Sequence, residues 1–141
     1  MKVYKVLDGT RTHYQDFSYF PYLPKGKRPG KWLPRLNVEC LGICYWGYHA
    51  CSIGQLPAWL DENERIFECE TKGASLSQGD KRCFQQIRLL REVTNDRAWL
   101  TRLINTPRPQ GIVDDGWKDW WDCGMEVART MRDRLPAAKE D

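Results

Sequence analysis

Two runs of alternating residues, Arg65 to Thr71 and Cys83 to Val93, limit what the middle of this chain can become. In the first, Phe67, Cys69 and Thr71 share one face and Glu68 and Glu70 the other; in the second, Cys83, Ile87, Leu89 and Val93 point inward and Arg88 outward. A period of two is the signature of a half-buried strand. The stretch between them, Gly73 to Lys81, is rich in Gly and Ser and holds a Gly-Asp pair, so it reads as a hairpin connection. An antiparallel pair brings the carboxylates of Glu68 and Glu70 near Lys81, Arg82 or Arg88. Exposed pairs of that kind contribute about 0.2–1 kcal/mol, so they mark register rather than hold the fold.

The flanking elements follow from local signals. Val3 to Leu7 reads as a short strand stopped by Asp8-Gly9. Tyr48 to Ser52 reads as another, with Tyr48, Ala50 and Ser52 on one side and His49 and Cys51 on the other. Ser52 and Gln55 have capping-box spacing for a helix that Pro57 must cut short. Asn95 or Asp96 caps a helix from Arg97 to Asn105 with a Trp99, Leu100, Leu103 stripe, and Pro107 and Pro109 end it. Asp115 is the expected cap of a longer amphipathic helix, Trp117 to Leu135, whose apolar side carries Trp117, Trp121, Met125, Ala128, Met131 and Leu135. The prediction is one α+β domain over residues 1–135: a small, mainly antiparallel sheet with the long C-terminal helix packed on it, and a frayed tail at 136–141. A chain of 141 residues is long enough to bury a core without staples.

Composition narrows the setting. The charged fraction is 29% and the mean hydropathy −0.67, and no stretch approaches the ~20 apolar residues that a membrane span needs. The opening Met-Lys-Val-Tyr-Lys-Val-Leu lacks the apolar core of a secretory signal. Six cysteines without such a signal read as reduced thiols in a host-cell cytoplasm. The net charge of +3 is small but uneven. Pro24 to Arg35 holds five bases, Lys25, Lys27, Arg28, Lys31 and Arg35, and no acid, whereas residues 114–141 hold eight acids against five bases. Arg11 to Arg35 also mixes Tyr14, Phe17, Tyr19, Phe20, Tyr22 and Trp32 with prolines and glycines, the composition of a long ordered loop or lid. Tyr19, Tyr22, Lys25, Lys27, Arg28, Lys31, Trp32 and Arg35 are the expected partner-binding residues.

The densest chemistry is Cys40-x3-Cys44-x4-His49-x-Cys51. It falls near zinc-knuckle spacing, but His49 and Cys51 on one strand face stand roughly 6.5–7 Å apart, which suits a strand better than a chelating turn. Core cysteines and no metal are expected, with a bend at Gly47 the route to the opposite result. A thiolate with a histidine base would need a third group to orient the ring, and none is adjacent, so His49 reads as a structural histidine. Gly26-Lys-Arg-Pro-Gly30 lacks the ending of a phosphate loop, and no cofactor is expected. Were the chain an enzyme, His49, Glu68 and Glu70 would be its catalytic set.

Gly47-Tyr-His-Ala-Cys51, the strand Ile66-Phe-Glu-Cys-Glu70, the turn Gly79-Asp-Lys81 and the basic strand that follows resemble a family of small uncharacterised phage and prophage proteins. The likeness runs over about residues 3–105, with Gly47, His49, Cys51, Glu68, Gly79, Asp80 and Lys81 as matching positions. It implies origin in a mobile genetic element and no particular activity. The strand order is also similar to the ADP-ribosyltransferase plan, although Tyr4 and Lys5 stand where that family has Arg or His. Three expectations follow: a non-enzymatic accessory protein that binds a host or defence protein, a nucleotide-dependent enzyme, or a nucleic-acid binder working through the basic loop.

Overall fold

The computed structural model describes residues 2–9, 20–43, 47–78, 81–112 and 116–136, and only the backbone of Cys40. Four strands form one antiparallel sheet: β1 (Val3–Leu7), β2 (Tyr48–Ala50), β3 (Arg65–Gln78) and β4 (Lys81–Glu92), in the order β1-β3-β4-β2. Beyond β2, Cys51 and Tyr4 exchange backbone hydrogen bonds of 2.7 and 2.9 Å. The two edge strands therefore meet at one point, and the sheet curls into a half-barrel.

The hairpin at its centre is longer than the sequence reading drew it. β3 runs on through Gly73 to Gln78, which pairs with Lys81, so only residues 79–80, outside the described residues, lie between the paired strands. What reads as loop composition is a bulge. Lys72 pairs with Gln86 and Ser75 with Phe84, so Gly73 and Ala74 together oppose Gln85. Gly73 has φ +80°, and a Cβ there would lie 2.2 Å from the Gln85 Oε1 that accepts from the Ala74 N–H at 2.9 Å. Only glycine fits that position.

Two apolar clusters hold the fold. One joins Val3, Leu7, Tyr48, Ala50, Phe67, Cys69, Phe84, Ile87 and Leu89 to Phe20 and Leu33. The other joins Tyr4, Val6, Cys51, Ile66 and Val93 to the helical side. Helix α1 (Arg97–Ile104) contributes Trp99, Leu100 and Leu103, and its N-cap is Asp96, whose carboxylate accepts from the Trp99 N–H at 3.0 Å. Helix α2 (Trp117–Arg134) has Gly116 at its cap position with no side-chain cap, and Asp115 lies outside the described residues. Ala128 brings α2 into the cluster shared with the sheet, but its backbone seats on the 3-10 turn Leu56–Trp59. At Gly124 a Cβ would lie 1.6 Å from the Pro57 carbonyl oxygen, so the small residue sets how closely the two elements approach. Ser52 and Gln55 do meet ahead of that turn. The Ser52 N–H and hydroxyl both donate to Gln55 Oε1 at 3.1 Å, and Pro57 holds the helix to one turn. The tail from 137 onward is outside the described residues, and none of the described helices is long and apolar enough to cross a membrane.

Candidate interaction face

The expected loop is a strap laid along β4. The Gly30, Leu33 and Leu36 N–H groups donate to the carbonyls of Leu89, Ile87 and Gln85 at 2.8, 3.0 and 3.0 Å. Side chains repeat the attachment: Gln86 Nε2 donates to the Leu33 carbonyl at 3.0 Å, Gln85 Nε2 to that of Leu36 at 2.9 Å, and the Tyr48 hydroxyl to that of Pro34 at 2.7 Å. Phe20 and Leu33 are buried beneath it. So residues 20–36 are fixed to the sheet although they form no strand of their own.

The strap displays the basic and aromatic groups. Lys25 and Arg28 exchange backbone hydrogen bonds of 3.0 and 2.9 Å across a tight turn that leaves Lys25, Lys27 and Arg28 exposed. Lys31 Nζ lies 5.8 Å from the centroid of the Tyr22 ring, and Tyr22 is 41% exposed. Half-buried Trp32 has Lys72 Nζ at 4.0 Å and Arg88 Cζ at 4.8 Å from its ring centroid, close enough for both cations to be held by the π-face. Arg35 is exposed on the same strap, and Tyr19 lies outside the described residues. Lys72 and Arg88 were not among the expected partner-binding residues. Their signal is weak in sequence, because only the pairing of the strands brings them to Trp32.

The two carboxylates of the enzyme set are held by cations. Glu70 is bound by Arg88 at 2.6 Å, and Glu68, 5% exposed, by Arg91 at 2.9 Å and Lys2 at 3.2 Å. His49 pairs with Cys83, which pairs with Leu76, and Glu70 lies six residues before Leu76 on β3. At the ordinary strand rise that path is on the order of 20 Å, whereas Glu68 pairs with Tyr4, which meets Cys51 two residues after His49. Burial first, then Lys5 and Lys81, hold His49 down to about 4, so the ring is neutral at pH 7; the Gly47 carbonyl opposes this at 3.1 Å from Nδ1. Because a carbonyl only accepts, Nδ1 carries the proton.

Nearby, Lys5 is buried with its Nζ donating to the His49 carbonyl at 2.6 Å and lying 5.3 Å from the Phe20 ring. Burial lowers it to about 8, against the pull of Cys69 and Cys51. The same burial pushes the Cys69 thiol up, so it is no thiolate at pH 7.

Of the four residues with ligand spacing, Cys44 and the Cys40 side chain are outside the described residues. Cys51 sits in the second core cluster with its Sγ 3.7 Å from the Tyr4 carbonyl. Cys51, Cys69 and Cys83 are buried and Cys123 is exposed. Among the described residues no group of three or more His, Cys, Asp or Glu is placed to hold a metal. Comparison with known proteins finds no matching family, no matching curated protein and no matching solved structure.

Proposed function

We propose that this chain is a non-enzymatic accessory protein of phage type that binds a host or defence protein through an acidic patch on that partner. The observation that carries the reading is Trp32, seated on a strap hydrogen-bonded to β4 and held against Lys72 and Arg88. Aromatic and arginine side chains fixed before binding are the usual anchors of protein interfaces, because little freedom remains to be lost on association. Around this anchor stand Lys25, Lys27, Arg28, Lys31 and Arg35, all exposed, which favour an acidic surface and speed its approach. The phage setting and the host or defence identity of the partner rest on the sequence resemblance alone. The cations that hold the Glu68 and Glu70 carboxylates support the non-enzymatic reading.

The test is affinity capture from a bacterial host extract with the full chain and with a Lys25→Glu, Lys27→Glu, Arg28→Glu variant. The reading expects a protein retained by the native chain at low salt, lost with the variant and lost with Trp32→Ala. Recovery equal on all of them contradicts it. Retention of duplex DNA with a log-log salt slope of about −4.5, the value for five phosphate contacts, would make the same face a nucleic-acid site.

A further inference from the structure

We propose that the outer edge of β3, from Thr71 to Gln78, receives an extended acidic segment of a partner protein as an added antiparallel strand. The inference rests on the acidic-partner reading above and adds the mode of binding. β1 covers β3 only as far as the Val3 and Cys69 pair. Among the described residues nothing pairs with the outer edge beyond it. The other edge of the hairpin is closed along its length, by β2 against Arg82 to Phe84 and by the strap against Gln85 to Leu89.

Which backbone groups are free follows from alternation in an antiparallel ladder. The carbonyls of Gln85, Ile87 and Leu89 turn toward the strap, so Gln86 and Arg88 face β3 and bond to Lys72 and Glu70. Thr71 between them then directs its N–H and C=O outward. At the far end Cys51 exchanges its bonds with Tyr4, so Ala50 and Tyr48 face Arg82 and Phe84; Cys83 and Lys81 then face β3 at Leu76 and Gln78, which leaves Ser77 and Ser75 directed outward. Ser75, Leu76, Ser77 and Gln78 are all exposed, so neither face obstructs a strand drawing alongside. A shallow cavity of ≈ 50 Å³ lined by Ser75, Leu76, Ser77, Arg82 and Phe84 offers a seat for one small side chain of that strand.

Charge decides the occupant. The described residues from Thr71 to Arg91 include Lys72, Lys81, Arg82, Arg88 and Arg91 and no Asp or Glu. A second copy would set like charge against like, and a lysine on an edge strand is a common device against self-pairing. An acidic strand meets Lys72 on the edge itself and Lys81 and Arg82 at its hairpin end, while Arg88 and Arg91 are engaged by Glu70, Glu68 and Asp96; Lys72 also joins this edge to the Trp32 face.

The probe is a labelled peptide alternating glutamate with valine, titrated against the full chain by fluorescence anisotropy. Two control peptides accompany it: the same sequence N-methylated at alternate residues, and lysine in place of glutamate. Expected are saturable, salt-sensitive binding of the acidic peptide, binding at least about tenfold weaker after methylation, and none for the lysine peptide, since each lost backbone bond contributes about 0.5–1.5 kcal/mol. Ser75→Pro, which deletes an outward N–H and leaves the β4 side alone, should give the same loss. Equal affinity of the methylated and unmethylated peptides overturns strand addition while leaving the acidic-face reading intact. Absence of saturable binding by the acidic peptide overturns the edge as a site, and capture from extract by the native chain would then show the face acting without it. A dimer of the free chain that buries Ser75 overturns it in favour of a second copy.

Discussion

The two halves of β3 differ in nearly every respect that governs stability. From Arg65 to Cys69 the strand lies between β1 and β4, and Ile66, Phe67, Glu68 and Cys69 are all buried. From Ser75 to Gln78 it pairs, among the described residues, with β4 alone, and every residue is exposed. The joint between the halves is the Gly73-Ala74 bulge, fastened by Gln85, whose amide spans from the Ala74 N–H to the Leu36 carbonyl. One strand can thus serve both core and contact surface, because the bulge lets pairing continue after the register and the burial change.

Truncation should show the contrast at its largest. Phe67→Ala, at a residue 0% exposed, is expected to cost about 3–5 kcal/mol in urea unfolding. Leu76→Ala, at a residue 41% exposed, should stay within about 0.5 kcal/mol. Comparable losses at the two positions would mean that the far half is packed in solution.

The joint comes next. Gln85→Ala strands the Ala74 N–H and the Leu36 carbonyl and is expected to destabilise by about 1–3 kcal/mol for each group left without a partner. Gly73→Ala should destabilise too, because it places a side chain at φ +80° against the same amide. An unchanged urea midpoint for both variants would remove the bulge from the account.

The ends of the sheet should also titrate in opposite senses. Glu64, just before β3, is 4% exposed, and burial, with help from Asp61 and Asp8, pushes it up to about 7 despite the Asp61 N–H at 2.6 Å. The folded state then holds its proton more tightly than the unfolded state, so its contribution falls as pH rises from the ordinary value of 4.5 to about 7. His49, beside the far half, is held down to about 4, so its contribution is full above 6.5 and falls as pH drops toward 4. The opposing slopes overlap between 4.5 and 6.5, and the native chain should change little there. Glu64→Gln should uncover a loss of stability toward low pH, and His49→Gln a loss toward neutral pH. Identical pH profiles for the two variants would contradict the assignment of either group.

Much of this is legible in the residues. The alternation finds Ile87 and Leu89 in the first core cluster, whereas Cys83 is buried outside it and Phe84, off that alternation, joins it. The Asp96 cap and the Trp99, Leu100, Leu103 stripe follow from spacing alone. Local signals fail where a distant partner decides. Gly73 suits a turn and a bulge equally, and only Gln85 across the ladder, itself tied to Leu36, selects the bulge. The strap reads as a long ordered loop or lid, but its seat is hidden because it is bonded through backbone groups to β4, which no side-chain pattern records. The helix α2 is plain from its stripe, whereas its seat on the Leu56–Trp59 turn depends on Gly124, which carries no apolar signal.

Amide hydrogen exchange of the native chain, read residue by residue, tests the divided strand most directly. Phe67 and Cys69 amides should exchange only through global unfolding, while those of Thr71, Ser75 and Ser77 should exchange with little protection, since no described residue pairs with that edge. Protection of Ser75 and Ser77 equal to that of Phe67 in the free monomer would show that the edge is already occupied, and the account of β3 as half core and half docking edge would fall.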